Sequence, residues 1–426
     1  MTGDAATSVS ASPTHRAIEA VWRIEAPKLV AALARLVRDV GLAEELAQDA
    51  LVAALERWPH AGVPGNPGAW LMATAKHRAV DLLRRGTRFA RKHEELGREL
   101  VLQLETAAGT EDDPVGDDLL RLILIACHPV LSRDARVALT LRLLGGLTTE
   151  EIARAFLVPT ATIAQRIVRA KRTLAEARVP FELPEGDALD ARIESVLEVI
   201  YLIFNEGYTA TAGEDWMRTS LCEDALRVGR VFAELVPKEP EAHGLVALME
   251  LQASRMRARV APSGEPVLLL DQDRSRWDRL LLRRGFAALA RADALGGAYG
   301  PYMLQAAIAA CHARARSAEQ TDWVRIAALY DALAQLTPSP VVELNRAVAV
   351  TMAFGPAPGL AILDSLVDEP ALASYHLLPS VRGDILARLH RYDEARAEFE
   401  RAAAMTKNVR EHTLLLARAA ACGEPV

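Results

Sequence analysis

Thr162, Gln165, Arg166, Arg169 and Arg172 fall at helical spacing along one face of the stretch TATIAQRIVRAKRTLA. Each carries a donor that reaches a base edge or a phosphate when such a helix lies in a major groove. A second set stands upstream. Lys76, His77, Arg84 and Arg85 follow Trp70 in WLMATAKHRAVDLLRR, a composition suited to single-stranded or melting DNA, where the backbone must be neutralised and bases captured. A third set has acid–base character: FNEGYTA holds Asn205, Glu206 and Tyr208, and LLLDQDRSRWD holds Asp271, Asp273, Arg274, Trp277 and Asp278. Such residues can catalyse, hold a ligand, or tie helices together by ion pairs. No nucleophile, metal pattern or phosphate loop accompanies them, so structural pairing is favoured, ligand sensing comes next, and no enzyme is expected.

The elements that position these residues are legible in caps and periods. Thr148 with Glu151 three residues on forms a capping box, and Ile152, Ala153 and Phe156 share one face of the helix it opens. Pro159 ends that helix. Thr160 is expected to cap the next one and to lie near the DNA, while Ile163, Ile167, Ala170 and Leu174 make a buried stripe opposite the donors. The pattern is a helix-turn-helix; the bland alternative is a helical hairpin with a solvated basic face. Upstream, Ala43 to Trp58 reads as a helix with Leu46, Ala50, Ala53 and Ala54 opposite Glu45, Asp49 and Glu56. Alone, that acidic stripe is an ordinary solvated face. A Pro- and Gly-rich loop, Pro59 to Pro67, leads to the helix Gly68 to Arg85, with Trp70, Leu71, Ala75, Ala79 and Leu82 or Leu83 inward. Before these, Ala17 to Arg38 reads as two helical segments divided at Pro27.

Charge is segmented rather than uniform. The formal net charge is -6, which excludes a basic nucleic-acid coat, yet Lys76 to Arg98 and Arg154 to Arg178 are rich in cations and Glu105 to Asp118 is acidic. Cys127, Cys222, Cys311 and Cys422 are scattered and form no CxxC, which points to a reducing compartment, no disulfide framework, no metal site and no cofactor. The first fifteen residues read as a disordered tail rather than a signal peptide. The longest apolar run, Leu119 to Leu131, is too short to span a bilayer, so a cytoplasmic location is expected.

Residues 17 to 178 resemble bacterial sigma factors of the extracytoplasmic-function group. The resemblance rests on the acidic helix, the WLxxxAxxxxxDxLRR helix from Trp70 to Arg85, and the helix-turn-helix with its RAKRTL ending (Arg169 to Leu174), in that order. It implies that Glu45, Leu46 and Asp49 meet the clamp helices of RNA polymerase. It further implies that Trp70, Lys76, His77, Arg84 and Arg85 engage the downstream promoter element, and that Thr160, Thr162, Gln165, Arg166, Arg169 and Arg172 engage the upstream one. His77 stands where the group usually has Asn, and Ala161 where Gly is common, so fine specificity does not transfer. The resemblance also implies that the acidic linker mimics nucleic acid inside the polymerase; a plain solvated tether is the alternative.

The chain continues well past this point, with repeated helical patterns and almost no strand-like alternation. The sequence predicts an all-α protein: a tail (1–15), a region 2 module (16–95), the linker (96–116), a region 4 module (117–178), a second linker (179–187), a helical extension (188–295) and tetratricopeptide-like repeats (296–426). The last repeat is clearest, with Leu377, Gly383, Leu389, Tyr392, Ala395, Phe399 and Ala402 at the characteristic spacing. Such arrays offer a concave surface to a peptide or protein partner, or serve only as scaffold. With NEGY and DQDRSRWD, the extension resembles a subgroup in which it regulates the factor. The competing reading is a stand-alone helix-turn-helix regulator whose helical domain senses a ligand or peptide.

Overall fold

Short polar side chains open many of the helices by accepting the amides that have no partner at a helix start. Asp39 accepts from the Leu42 amide at 2.8 Å, Asn66 from Ala69 at 3.0 Å, Asp278 from Leu280 at 2.8 Å and Asp322 from Arg325 at 3.0 Å. The computed structural model describes residues 13–87, 114–156, 158–209, 212–213, 217–262, 265–296 and 299–422. Among these the fold is all-α. Strand pairing in the described residues is confined to Ala212–Gly213 beside Lys407–Asn408, which run parallel, and an isolated bridge between Val260 and Pro266.

The chain divides into two units, 1–199 and 200–426. The first unit begins with helix Pro13–Val37, which starts inside the stretch read as a tail and runs through Pro27 without a break. A mid-helix proline forfeits one hydrogen bond, but the burial of Ala26, Leu29, Val30 and Leu33 on either side outweighs that loss. This helix packs on Val40–Ala61, whose inner face is almost all alanine: Ala43, Ala47, Ala50 and Ala54 are fully buried. Helix Pro67–Thr87 completes the module with Leu71, Ala75 and Ala79. Of the linker expected at 96–116, residues 96–113 lie outside the described residues, and 114–116 already belong to helix Pro114–Ala126.

Helix Arg133–Leu143 and the pair Thr149–Ala155 and Thr160–Glu176 form the second module. Glu44 joins it to the first. It lies on the alanine face, 5% exposed, where a lone carboxylate would be costly; Arg142 reaches it at 2.6 Å, and Lys171 pairs with it as well. Asp118, 2% exposed, pairs with Arg35 at 3.1 Å. Helix Asp187–Tyr208 starts within one residue of the boundary expected at 187/188. Its first half belongs to this unit: Ser195 donates to the Cys127 carbonyl at 2.6 Å, and Arg136 donates to Ser195 at 2.6 Å and to Glu198 at 3.1 Å.

The second unit continues through Thr219–Leu235, Pro240–Ala253 and Arg279–Ala294 to a run of helices, Pro301–Arg314, Trp323–Leu336, Pro340–Phe354, Pro356–Asp364, Leu377–Arg388, Tyr392–Met405 and Val409–Ala421. From Pro301 onward each packs on the next, the nearest-neighbour arrangement of a helical array. Gly383 makes one approach possible: a Cβ there would meet the Phe399 ring at 2.9–3.1 Å.

Candidate nucleic-acid interface

The helix-turn-helix is built as its caps predict on the first side of the turn and differently on the second. Thr148 accepts from the Glu151 amide at 3.1 Å while the Glu151 carboxylate accepts from the Thr148 amide at 2.7 Å. The cap of the following helix is Pro159, with no side-chain bond, so Thr160 is its first residue rather than its cap. Ile163, Ile167, Ala170 and Leu174 are buried. Thr160, Gln165, Arg169 and Arg172 are exposed, and Thr162 and Arg166 partly so. Two of the cations have local partners: Arg166 pairs with Asp134 at 2.9 Å and Arg172 with Glu176 at 3.2 Å. Such surface pairs are weak and exchange readily for a phosphate or base edge.

In the first module Gly62 closes the acidic helix at a φ of 83°, a left-handed conformation that glycine adopts without strain. Gly68 lets the next helix start against Glu25, whose carboxylate a Cβ would meet at 2.7 Å. Trp70 is partly buried, edge-to-face with Trp58 at 5.4 Å, so it supports the loop as well as facing it. His77 is exposed and Lys76 partly so. The backbone of Arg84 and Arg85 lies in the last turns of the helix; their side chains fall outside the described residues.

On the acidic helix Glu45 is exposed, and Asp49 pairs with Arg78 at 3.0 Å while keeping 57% side-chain exposure. Leu46, expected beside them at the interface, is instead 1% exposed and packs inward. Leu46 lies three residues from Ala43 and four from Ala50, on the buried face of this helix. The exposed apolar neighbours are Val52 and Leu55. Sequence reasoning also passed over Glu44; the signal available was a carboxylate in register with Ala43, Ala47 and Ala50, where burial demands a cation.

The two polar stretches of the extension do not converge on one cluster. Glu206 pairs with Arg218, and Arg259 donates to the Tyr208 carbonyl, holding its guanidinium 3.7 Å above the Tyr208 ring. Asn205 and Asp271 are exposed. Asp273 and Asp278 accept amides of their own chain segments, and Arg274 donates to the His312 and Ala315 carbonyls at 2.6 and 2.7 Å, closing the end of helix Pro301–Arg314. Trp277 is 4% exposed. Three cysteines are buried, and burial raises the Cys127 and Cys222 thiols to about 12, which leaves them unreactive. Among the described residues no group of side chains suits a metal ion, and no helix is long and apolar enough to cross a membrane.

Comparison with known families assigns these modules. Sigma-70 region 2 matches residues 22–89, sigma-70 region 4 matches 121–174, and a family of unknown function (DUF6596) matches 192–293. An uncharacterized protein of Rhizobium meliloti is 43% identical over 387 residues, 90% of this chain and 91% of its own. ECF RNA polymerase sigma factor SigK of Mycobacterium ulcerans is 30% identical over 146 residues, 33% of this chain and 75% of that one. A probable ECF RNA polymerase sigma factor, SigI of Mycobacterium tuberculosis, is 26% identical over 170 residues, 39% of this chain and 57% of that one. No solved structure matches. The chain belongs to the ECF RNA polymerase sigma factors, and it carries the DUF6596 region and further helices behind the two sigma regions. It is therefore an initiation factor that works with RNA polymerase core on promoter DNA, and none of the matching families is described as catalytic.

Proposed function

We propose that the factor docks on polymerase through the acidic face of helix Val40–Ala61, opens promoter DNA with the helix behind it, and is regulated in the cytoplasm by its own extension. The observation that carries the docking reading is the face itself. Glu45 and Asp49 stand exposed beside the apolar Val52 and Leu55, and an apolar centre rimmed by charge suits a basic protein partner better than a merely solvated surface. Lys76, His77, Arg84 and Arg85 would neutralise the melted strand while bases are captured. Unstacking a base costs a few kcal/mol, which polymerase and factor offset together. Thr160, Thr162, Gln165, Arg166, Arg169 and Arg172 would place the second module on upstream duplex.

The regulatory reading is supported by helix Asp187–Tyr208, which is one continuous element from the region 4 neighbourhood into the extension. Its residues Ser195 and Glu198 are tied to Arg136, so a cut after Pro180 would strip contacts from the sigma part itself. A chain ending after Tyr208 keeps them. Run-off transcription with core polymerase is expected to differ between this shortened chain and the full one; equal output from both would remove the regulatory role. The exposed array from 301 onward is the proposed seat of a peptide or protein partner.

A further inference from the structure

A partly open pocket of about 180 Å³ lies in the extension, where the DUF6596 region meets the first helices of the array. Leu248, Leu251 and Ile308 give it apolar lining, and Gln252, Arg255, Trp277, Gln305, His312 and Tyr330 polar lining. No aspartate or glutamate lines it. The Trp277 indole nitrogen and the His312 Nδ1 are buried without hydrogen-bond partners. Buried polar groups in a folded protein are nearly always paired, so two orphans at one cavity are informative. Of the polar groups here, an indole N–H and a guanidinium only donate, whereas a neutral imidazole also offers one acceptor nitrogen. Arg255 donates to Gln252 at 2.6 Å, lies 5.5 Å from the centre of the Tyr208 ring and forms no ion pair with a carboxylate among the described residues. Arg274, immediately behind, is already committed to the end of helix Pro301–Arg314. Burial and the two arginines hold the His312 imidazole down at about 3, hence neutral at pH 7. The site therefore has positive charge, a buried indole N–H with no partner and apolar lining, and no carboxylate of the lining answers them.

We propose that this cavity binds a small monocarboxylate with a compact apolar body, its carboxylate on Arg255 and the Trp277 N–H and its body against Leu248, Leu251 and Ile308. Size agrees: a cavity of roughly 150 Å³ takes one benzene ring, so the volume here admits a ring or branched chain plus a carboxylate and little more. The ligand would touch residues of Pro240–Ala253, of the segment around Trp277 and of helix Pro301–Arg314 at once. It would thereby stiffen the junction between the two parts of the extension. Binding itself is independent of the regulatory reading above, and only its effect on transcription rests on that reading.

Calorimetric titration of the full-length protein with benzoate, and in parallel with its neutral isostere benzamide, tests the site. Benzoate is expected to bind, with benzamide at least about tenfold weaker, because a charge-assisted bond is roughly twice as strong as a neutral one. Arg255→Gln should weaken benzoate about tenfold or more and leave the melting temperature nearly unchanged, and Trp277→Phe should weaken it severalfold. No benzoate binding up to about 10 mM, equal affinity for benzamide, or an unaltered Arg255→Gln titration would each overturn the proposal. The wild-type pair of titrations decides even if a variant fails to fold. Binding that leaves run-off transcription unchanged refutes ligand control while leaving the site in place.

Discussion

Glu44 shows how one buried charge organises the sigma part. Burial by itself would raise its pKa, but Lys171 and Arg142 outweigh that and hold it below its ordinary value of 4.5. A carboxylate whose pKa is lowered by folding stabilises the fold above its unfolded value, and that contribution disappears as pH falls through the folded value. Glu44→Gln is therefore expected to lower stability at pH 7 by roughly 2–3 kcal/mol, under the usual 3–5 for a broken buried pair, because Arg142 and Lys171 keep 20% and 22% side-chain exposure. Melting curves should show the variant closing on the parent below pH 4.5; a constant gap down to pH 3 contradicts the assignment. The recognition residues divide by role. Arg169→Ala should weaken promoter complexes evenly across sequences and reduce the salt slope by about 1, whereas Arg166→Ala should cost about 1–3 kcal/mol and relax preference at one base pair. Binding titrations over a salt series with promoter variants separate the two. Residue types announced the donors on the recognition helix, because an amphipathic helix must put Arg169 outside once Ile167 and Ala170 are inside. Glu44 was harder to place, since its partners lie about a hundred positions away, at Arg142 and Lys171; the burial of Leu46 was legible in its period, and only the resemblance set it at the interface.

Among elements, the helix before the turn has the most local determination. Its capping box is closed by both hydrogen bonds, so Thr148→Ala should cost about 1 kcal/mol, read as a lower midpoint in denaturant with the slope unchanged. A loss below about 0.3 kcal/mol would mean the box adds nothing to the fold. The buried stripe Ile163, Ile167, Ala170, Leu174 was readable from its period alone. The start of that helix was not, because Pro159 and Thr160 both suit a first turn and only the backbone distinguishes the cap from the residue after it. Pro27 misled in the opposite direction. A proline weakens a helix locally, yet the interrupted helix Pro13–Val37 is held by the packing of Leu29, Val30 and Leu33 on the alanine face of Val40–Ala61, which no local rule contains.

For the whole molecule, the all-α class followed from recurring 3.6-residue patterns, and the order of the two sigma modules from the family resemblance carried by Trp70 to Arg85 and Arg169 to Leu174. Which unit the next helix packs with was less legible: Asp187–Tyr208 starts within one residue of the expected boundary, and Arg136 holds its first half to the first unit by Ser195 and Glu198. In the polar stretches of the extension Asp273 and Asp278 cap, Glu206 and Arg274 pin, and Trp277 lines a pocket whose residues come from separate segments. In the proposed reading the upstream module gives position while the acidic helix brings polymerase to open the DNA. The most direct test of this reading is run-off transcription by core polymerase with the full-length protein and with the double variant Glu45→Lys, Asp49→Lys. Promoter-specific transcripts are predicted from the parent and a loss of at least about tenfold from the variant, with its fold intact by circular dichroism; undiminished transcription from the variant would contradict docking through this face.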